Sequence, residues 1–402
     1  MADIAPCNDI SDCFLKDYFL KSRFLVNVSL YLYLEIVMRL AYRLSLLLLS
    51  FIVSAAHAGA GYPEYRVTVV GPANSYANDI NAGGVVAGTY YLGAPGSSPS
   101  RGFVNRGQGV TTLGTLGGSS SSAVAINDKG QVLGNWTASN GQQRGFIHYQ
   151  GKQRDIGAVP GKLTRYTDIN NASYITATGD ALTGPSRSRG YLRAPGGQFR
   201  DVGNLTFPDW PGVPTLNTAL ALNNHNQVTG ESGPFTFPDQ PLRAYTWARG
   251  VMRDLGDFGW TPNGGIAIND KGQITGHMSV PTGYRSSVAF IYSHGRLIDI
   301  DGRGPAVAQR SSGGAGINNH GHVVGSSDHL SGFVYRGKRM QSLNALIDPK
   351  PGWDIVAPDA INDAGQIAAT AYRKGVPYAV RLDLIRPILL AAPQVEKDPE
   401  TH

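Results

Sequence analysis

From residue 64 onward the chain alternates short apolar runs with tight polar turns, and one turn keeps returning. Ala125-Ile126-Asn127-Asp128-Lys129-Gly130-Gln131-Val132-Leu133-Gly134 recurs almost verbatim as Ala267-Ile268-Asn269-Asp270-Lys271-Gly272-Gln273-Ile274-Thr275-Gly276. Looser copies sit at Ile80-Asn81, Ile169-Asn170, Leu222-Asn223, Ile317-Asn318 and Ile361-Asn362. The Asn positions are 81, 127, 170, 223, 269, 318 and 362, seven copies at a nearly constant step. Each copy predicts an apolar strand ending in Ile-Asn, a hairpin turn, and a second strand of the form Gln-Val-x-Gly. In the turn, Asn127, Asp128 and Gly130, with their counterparts Asn269, Asp270 and Gly272, have structural roles. Asn and Asp are expected to fold back on their own backbone, and Gly to take the positive-φ position.

The second half of each copy repeats too. Arg101-Gly102-Phe103, Arg144-Gly145-Phe146, Arg189-Gly190-Tyr191 and Arg243-Ala244-Tyr245 match one another, and Ala289-Phe290, Gly332-Phe333 and Pro377-Tyr378 complete the series. A turn and a closing strand such as Arg154-Asp155-Ile156-Gly157 follow. Four short strands in roughly 40–50 residues is the size of a propeller blade. No stretch after residue 60 keeps a helical apolar period for long. The fold class is therefore all-β, a seven-bladed β-propeller of four-stranded blades spanning residues 59–383. The apolar strand Tyr65 to Gly71 precedes the first copy, and the seventh copy lacks an outer strand of its own. The N-terminal strand is expected to fill that place and close the ring. An open solenoid would need capping repeats, and none is apparent.

The unit Ala-Ile-Asn-Asp-x-Gly-Gln-Val-x-Gly, with its Gly/Ala-Phe and Asp-Leu-Gly strands, resembles the HAF-repeat family of predicted bacterial extracellular proteins. The likeness covers roughly residues 64–382, and Leu113-Gly114-Thr115-Leu116-Gly117-Gly118 matches another part of the pattern. The His of the family's His-Ala-Phe tripeptide is absent; Arg101, Arg144, Arg189 and Arg243 stand in its place. The resemblance implies secretion and repeat architecture and no established activity.

Composition agrees with a turn-rich β protein. Gly is 51 of 402 residues, and charged residues are only 16% against a usual ~25%. Residues 38–58 carry the three parts of a secretory signal peptide: Arg39 and Arg43, the apolar run Leu44 to Val53, and Ala56-His57-Ala58. That run is shorter than the roughly 20 residues of a membrane-spanning helix, so no stable span is expected in the mature chain. Residues 1–37 read as an upstream extension ahead of a true start at Met38, and 384–402 as a flexible tail. Cys7 and Cys13 both precede residue 38, so the exported chain has no disulfide and no thiolate nucleophile. The net charge is +6, with basic residues scattered, and no nucleic-acid surface is expected.

Chemistry is sparse. Only five Glu occur, and Glu64 and Glu231 alone fall within the repeats. Glu231, Asp239 and Asp209 are the carboxylates that a glycoside hydrolase or lyase reading would use from loops. His320, His322, Asp328 and His329 crowd the sixth copy as metal-ligand types. The last two fall beyond the second strand, at the opposite end of the hairpin from the first two. No metal or cofactor is expected. With the Ile-Asn strand innermost, the Asn turns share one face and the loops of varying length share the other. The longest of these carry Phe207 and Trp210 (Leu205 to Thr218) and Phe237 (Ser232 to Leu242), and Trp260 sits in the next blade-joining loop. Exposed aromatics on variable loops suit a recognition surface. The reading is a secreted binding or scaffolding module for a glycan, a cell-envelope component or a protein. The alternative is a carbohydrate-active hydrolase or lyase.

Overall fold

A computed structural model describes residues 63–385, apart from 95, 97–98, 160, 162–163, 181–187, 210, 235–241, 257–260, 280–286 and 303–310. The segments 1–37, 38–58 and 386–402 lie outside the described residues, as do Trp210, Phe237, Asp239 and Trp260. Among the described residues, seven four-stranded antiparallel sheets stand as the blades of a propeller. Blade one runs from the axis outward as Ser75–Ile80, Val86–Tyr91, Ser100–Asn105 and Val110–Thr112. Blades two to six keep this order, with inner strands Ser120–Ile126, Thr164–Ile169, Thr215–Leu222, Thr261–Ile268 and Ser312–Ile317. Blade seven takes three strands from the C-terminal end (Asp354–Ile361, Ile367–Arg373 and Val376–Leu384) and its outermost from the N-terminal side, Tyr65–Ala73.

That clasp pairs Val67 with Leu382 and Val69 with Val380. The segment entering it is also tied to blade six: Glu64 accepts from Arg336, and its own N–H donates to the Leu346 carbonyl at 2.8 Å. Joining the two ends of the chain in one sheet leaves blade seven with the same four strands as its neighbours and removes an open edge.

The recurring turn closes as its residues dictate. Gly130 N–H donates to Asn127 O at 2.9 Å, and Asn127 N–H donates to Gln131 O at 3.1 Å. Gly130 has φ +78°, which a β-branched side chain resists. Blades three and four place Ser173 (φ +63°) and Asn226 (φ +59°) there instead. The core lies in the seams between blades. Ala87, Val104 and Leu113 of blade one pack with Ala123, Ile126, Val132 and Phe146 of blade two. Phe146 is fully buried over Gly134 of the adjoining strand, and a Cβ at Gly134 would collide with the Phe146 ring and the Ser122 carbonyl. The Gly of Gln-Val-x-Gly and the aromatic of Arg-Gly-Phe are thus two halves of one packing arrangement. The Arg of the same motif bonds across to the outer strand. Arg144 Nε donates to Asp155 Oδ2 at 2.9 Å, and Arg189–Asp201 and Arg243–Asp254 pair at 3.6 and 3.5 Å. Blade one has Thr112 at the Asp position, and Arg101 bonds to the Ser119 carbonyl instead, at 2.9 Å.

Every inner strand has a register shift just before its last residue, Ile in six blades and Leu222 in blade four. The bulged residues are Asn78, Val124, Thr167, Leu220, Ile266, Ala315 and Asp359, and all seven line the axial channel. A bulge adds one residue and re-aims its side chain.

Gly130 and Gly134 separate the two demands made on glycine. Gly130→Val should cost about 1–3 kcal/mol, the strain of a left-handed β-branched residue. Gly130→Asn should cost under about 1 kcal/mol, because Asn tolerates this region. Gly134→Ala should cost about 1–3 kcal/mol or more from overpacking, with Asn no better tolerated than Ala. Urea unfolding of the four variants reads this out. Equal tolerance of Asn at both positions would contradict it.

Candidate functional site

Two regions gather polar chemistry: the axis of the ring and a cleft between blades five and six. On the turn face the seven repeat Asn side chains are 3–7% exposed. Each Oδ1 accepts the backbone N–H four residues on, at 2.9–3.0 Å, within its own turn. Each Nδ2 donates to the carbonyl of the equivalent Asn in the next blade, at 2.8–3.1 Å. The series ends where it began, with Asn362 donating to Asn81 at 3.0 Å. The ring is closed by a cycle of amide hydrogen bonds.

Asp128 and Asp270 do not fold back on their own turns as expected. Asp128 Oδ1 accepts from Ala82 N–H of blade one at 2.8 Å, and Oδ2 accepts from Asn171 of blade three at 2.7 Å. Asp270 accepts from the backbone and side chain of Asn224 at 2.8 and 2.9 Å. Residues 128, 171, 224, 270, 319 and 363 each take the N–H of the preceding blade in this way. Blade one, with Ala82, has no side chain to make the seventh link. Their oxygens serve the architecture, and a mouth of about 200 Å³ lies among them.

Deeper in the channel, behind the Ile ring, lie three carboxylates. Asp79 Oδ2 accepts from Ile126 N–H at 2.7 Å, and Asp168 Oδ2 from Leu222 N–H at 2.9 Å, each reaching the next blade. Burial pushes Asp79 up to about 8, with Asp168 and Asp128 adding repulsion against its two backbone hydrogen bonds. Burial likewise pushes Asp168 up to about 6 and Asp359 up to about 8. All three are partly open to the channel, yet protein surrounds that channel on every side. None was singled out in the sequence. For Asp79 and Asp168 the signal was there: the residue before the closing Ile (Leu222 in copy four) is Asp in copies one and three and Ala in copies two, four, five and seven.

The second region is on the other face. There the segments between strands vary, whereas the Asn turns are all five residues long. A cleft of about 480 Å³ lies between blades five and six, a size suited to a small ligand. Its wall includes His277 and Ser287 of blade five, and Ser311, Ser312, Ser326 and Ser327 of blade six. Ser312 Oγ donates to Asp301 at 2.6 Å and accepts from Ala289 N–H at 3.0 Å. Burial pushes the His277 imidazole below its ordinary value, so it is neutral near pH 7.

The residues expected to be functional are scattered. Glu231 belongs to strand Val228–Pro234, paired with Thr218 and Ala244, and not to a loop. Burial raises its pKa. Asp209 is exposed and Phe207 half-buried in the segment before Thr215. His320 and His322 stack on the turn with ring centroids 5.8 Å apart. Burial, then the neighbouring His320, lowers the pKa of His322. Asp328 and His329 face each other at 3.4 Å beyond the second strand. Among the described residues no three His, Cys, Asp or Glu side chains come together as a metal site.

The architecture is that of a β-propeller, and solved propellers resemble it. The β-propeller domain of the Trilobed protease from Pyrococcus furiosus, described as having an open velcro topology, superposes with a TM-score of 0.51 at 10% identity, covering 82% of this chain and all of that one. Pyrococcus horikoshii acylaminoacyl peptidase gives 0.50 at 12% identity, over 77% of this chain and 51% of that one. YCF48 bound to D1 peptide gives 0.49 at 11% identity, over 83% and 99%. At these identities the likeness is one of fold. No family model and no curated protein matches the sequence.

The channel carboxylates set a pH dependence. A folded-state pKa above the unfolded value makes Asp359 stabilising while protonated, and that contribution is lost as pH rises from about 4 through about 8. Asp359→Asn removes the ionisation. The melting temperature of the variant relative to the parent should rise between about pH 5 and about pH 8.5. A constant difference would contradict the assignment.

Proposed function

We propose that the protein is a secreted binding module that holds a glycan in the cleft between blades five and six. The observation that carries this reading is the set of serines with His277 and Asp328 that edges that cleft, on the face where segment length varies. Ser312, Ser326 and Ser327 are engaged within the protein, which leaves the Ser287 and Ser311 hydroxyls to donate and accept, and a neutral imidazole does both through its two nitrogens. Such a wall matches the alternating donors and acceptors of a saccharide. Gly313 leaves backbone accessible beside it. Secretion rests on the basic, apolar and small-residue pattern of residues 38–58.

Gly313→Leu tests the site directly. A Cβ there meets only His277 Cβ, at 3.9 Å, so a larger side chain enters the cleft without striking backbone. A glycan microarray with the parent protein should identify a bound saccharide. Gly313→Leu should weaken it by about tenfold or more with an unchanged melting temperature. A parent that binds no glycan, or a variant that binds equally well, would overturn the reading.

A further inference from the structure

We propose that the axial channel is a second binding site, for a protonated primary amine carried on a short aliphatic stem. The channel holds about 200 Å³ and has two unlike walls. Blades seven, one and three contribute Asp359, Asn78, Asp79, Thr167 and Asp168, with Ala360 and Ile361 beside Asp359. Blades four, five and six contribute Leu220, Ala221, Ile266, Ala267 and Ala315. Blade two, between the acidic contributors, presents Val124 and Ala125. A cavity with carboxylates on one side and aliphatic side chains on the other fits a ligand with a cationic head and an apolar body.

The observation that points to a ligand is the state of Asp359. The same bulge position is satisfied in two other blades. Asn78 Nδ2 donates to the Ala123 carbonyl of blade two at 2.6 Å and to Thr89 Oγ1 at 3.1 Å. Thr167 Oγ1 donates to the Ala219 carbonyl of blade four at 2.8 Å. Both are donors facing the next blade. Asp359 brings an acceptor to that place, and among the described residues no hydrogen-bond donor meets its carboxylate. Thr370, at the position of Thr89, is 1% exposed with its hydroxyl unpartnered. Asp79 and Asp168, by contrast, have each oxygen engaged by a backbone N–H. An ammonium group brings three donors. One can serve Asp359, and the others the free lone pairs of its neighbours. The aliphatic stem then lies on Leu220 and Ile266. A bare divalent cation would leave that apolar wall without a role.

Binding should also depend on pH. The charged groups facing the site are Asp79, Asp168 and Asp359, with Asp128 acting on Asp79. All are acids that ionise more fully as pH rises, so an alkylammonium should bind more tightly at about pH 8.5 than at about pH 6.

The test uses calorimetry with the full chain and n-butylammonium as the probe. n-Butanol is the uncharged control and calcium chloride the metal control. Butylammonium should bind, butanol should not, and the affinity should rise with pH. Asp359→Asn should weaken binding by about tenfold or more, as removal of one partner of an enclosed charge pair does. That variant is expected to fold, since Asn already occupies the position in blade one. Leu220→Trp, which narrows the channel from the apolar side, should also abolish binding. No butylammonium binding, equal binding by Asp359→Asn, or binding of calcium in its place would each overturn the proposal. The cleft between blades five and six adjoins the channel at Ile266 and Ala315 but does not include Asp359, so Asp359→Asn should leave glycan binding there intact.

Discussion

The structure depends on one hydrogen bond made seven times: a buried Asn amide donating to the main chain of the next blade. Only Asn and Gln side chains combine a carbonyl acceptor with an amide donor on one planar group, and Asn is short enough to stay within the turn. Its oxygen completes its own hairpin and its nitrogen reaches the neighbour. A buried polar group left without a partner costs about 1–3 kcal/mol, so each blade is penalised unless another stands beside it. The cycle is complete only when Asn362 meets Asn81. The clasp through Tyr65–Ala73 completes the last sheet at the rim, while the Asn cycle closes the axis.

This division of labour assigns the two faces different work. On the turn face, turns of constant length and their Asn and Asp side chains are engaged in holding blades together. Binding there would compete with the fold. On the opposite face the blade-joining segments are free to differ. The seams open there into a hydroxyl-lined cleft, and Ile266 and Ala315 line both that cleft and the axial channel.

Much of the architecture was legible because it is written locally. Strand, turn, Gly and aromatic fall within one repeat, so their spacing exposes blade count, strand order and the clasp. What was not legible lies between repeats. Asp128 looks like a local turn residue, because nothing in its own hairpin reveals that its partners are Ala82 and Asn171. The bulge that turns Asp359 toward the axis leaves no mark in the hydrophobic pattern. It appears only when equivalent positions are compared across copies. Glu231 drew notice as a rare acid, but its column in the second strand also holds Asn135 and His277 along the same seams. The cleft serines, ordinary in sequence, become a wall only when blades five and six stand side by side.

The Asn cycle is tested most directly by removing one of its donors. Asn127→Asp keeps the shape and the local acceptor but removes the donations to Asn170 O and to Gln131 Oε1 and sets a carboxylate against both oxygens. Equilibrium urea unfolding at neutral pH, with Lys129→Ala as the exposed neighbouring control, measures the difference. The account predicts a loss of about 3 kcal/mol or more for Asn127→Asp, well beyond the control. Stability within about 0.5 kcal/mol of the parent would show that the cycle does not hold the ring together.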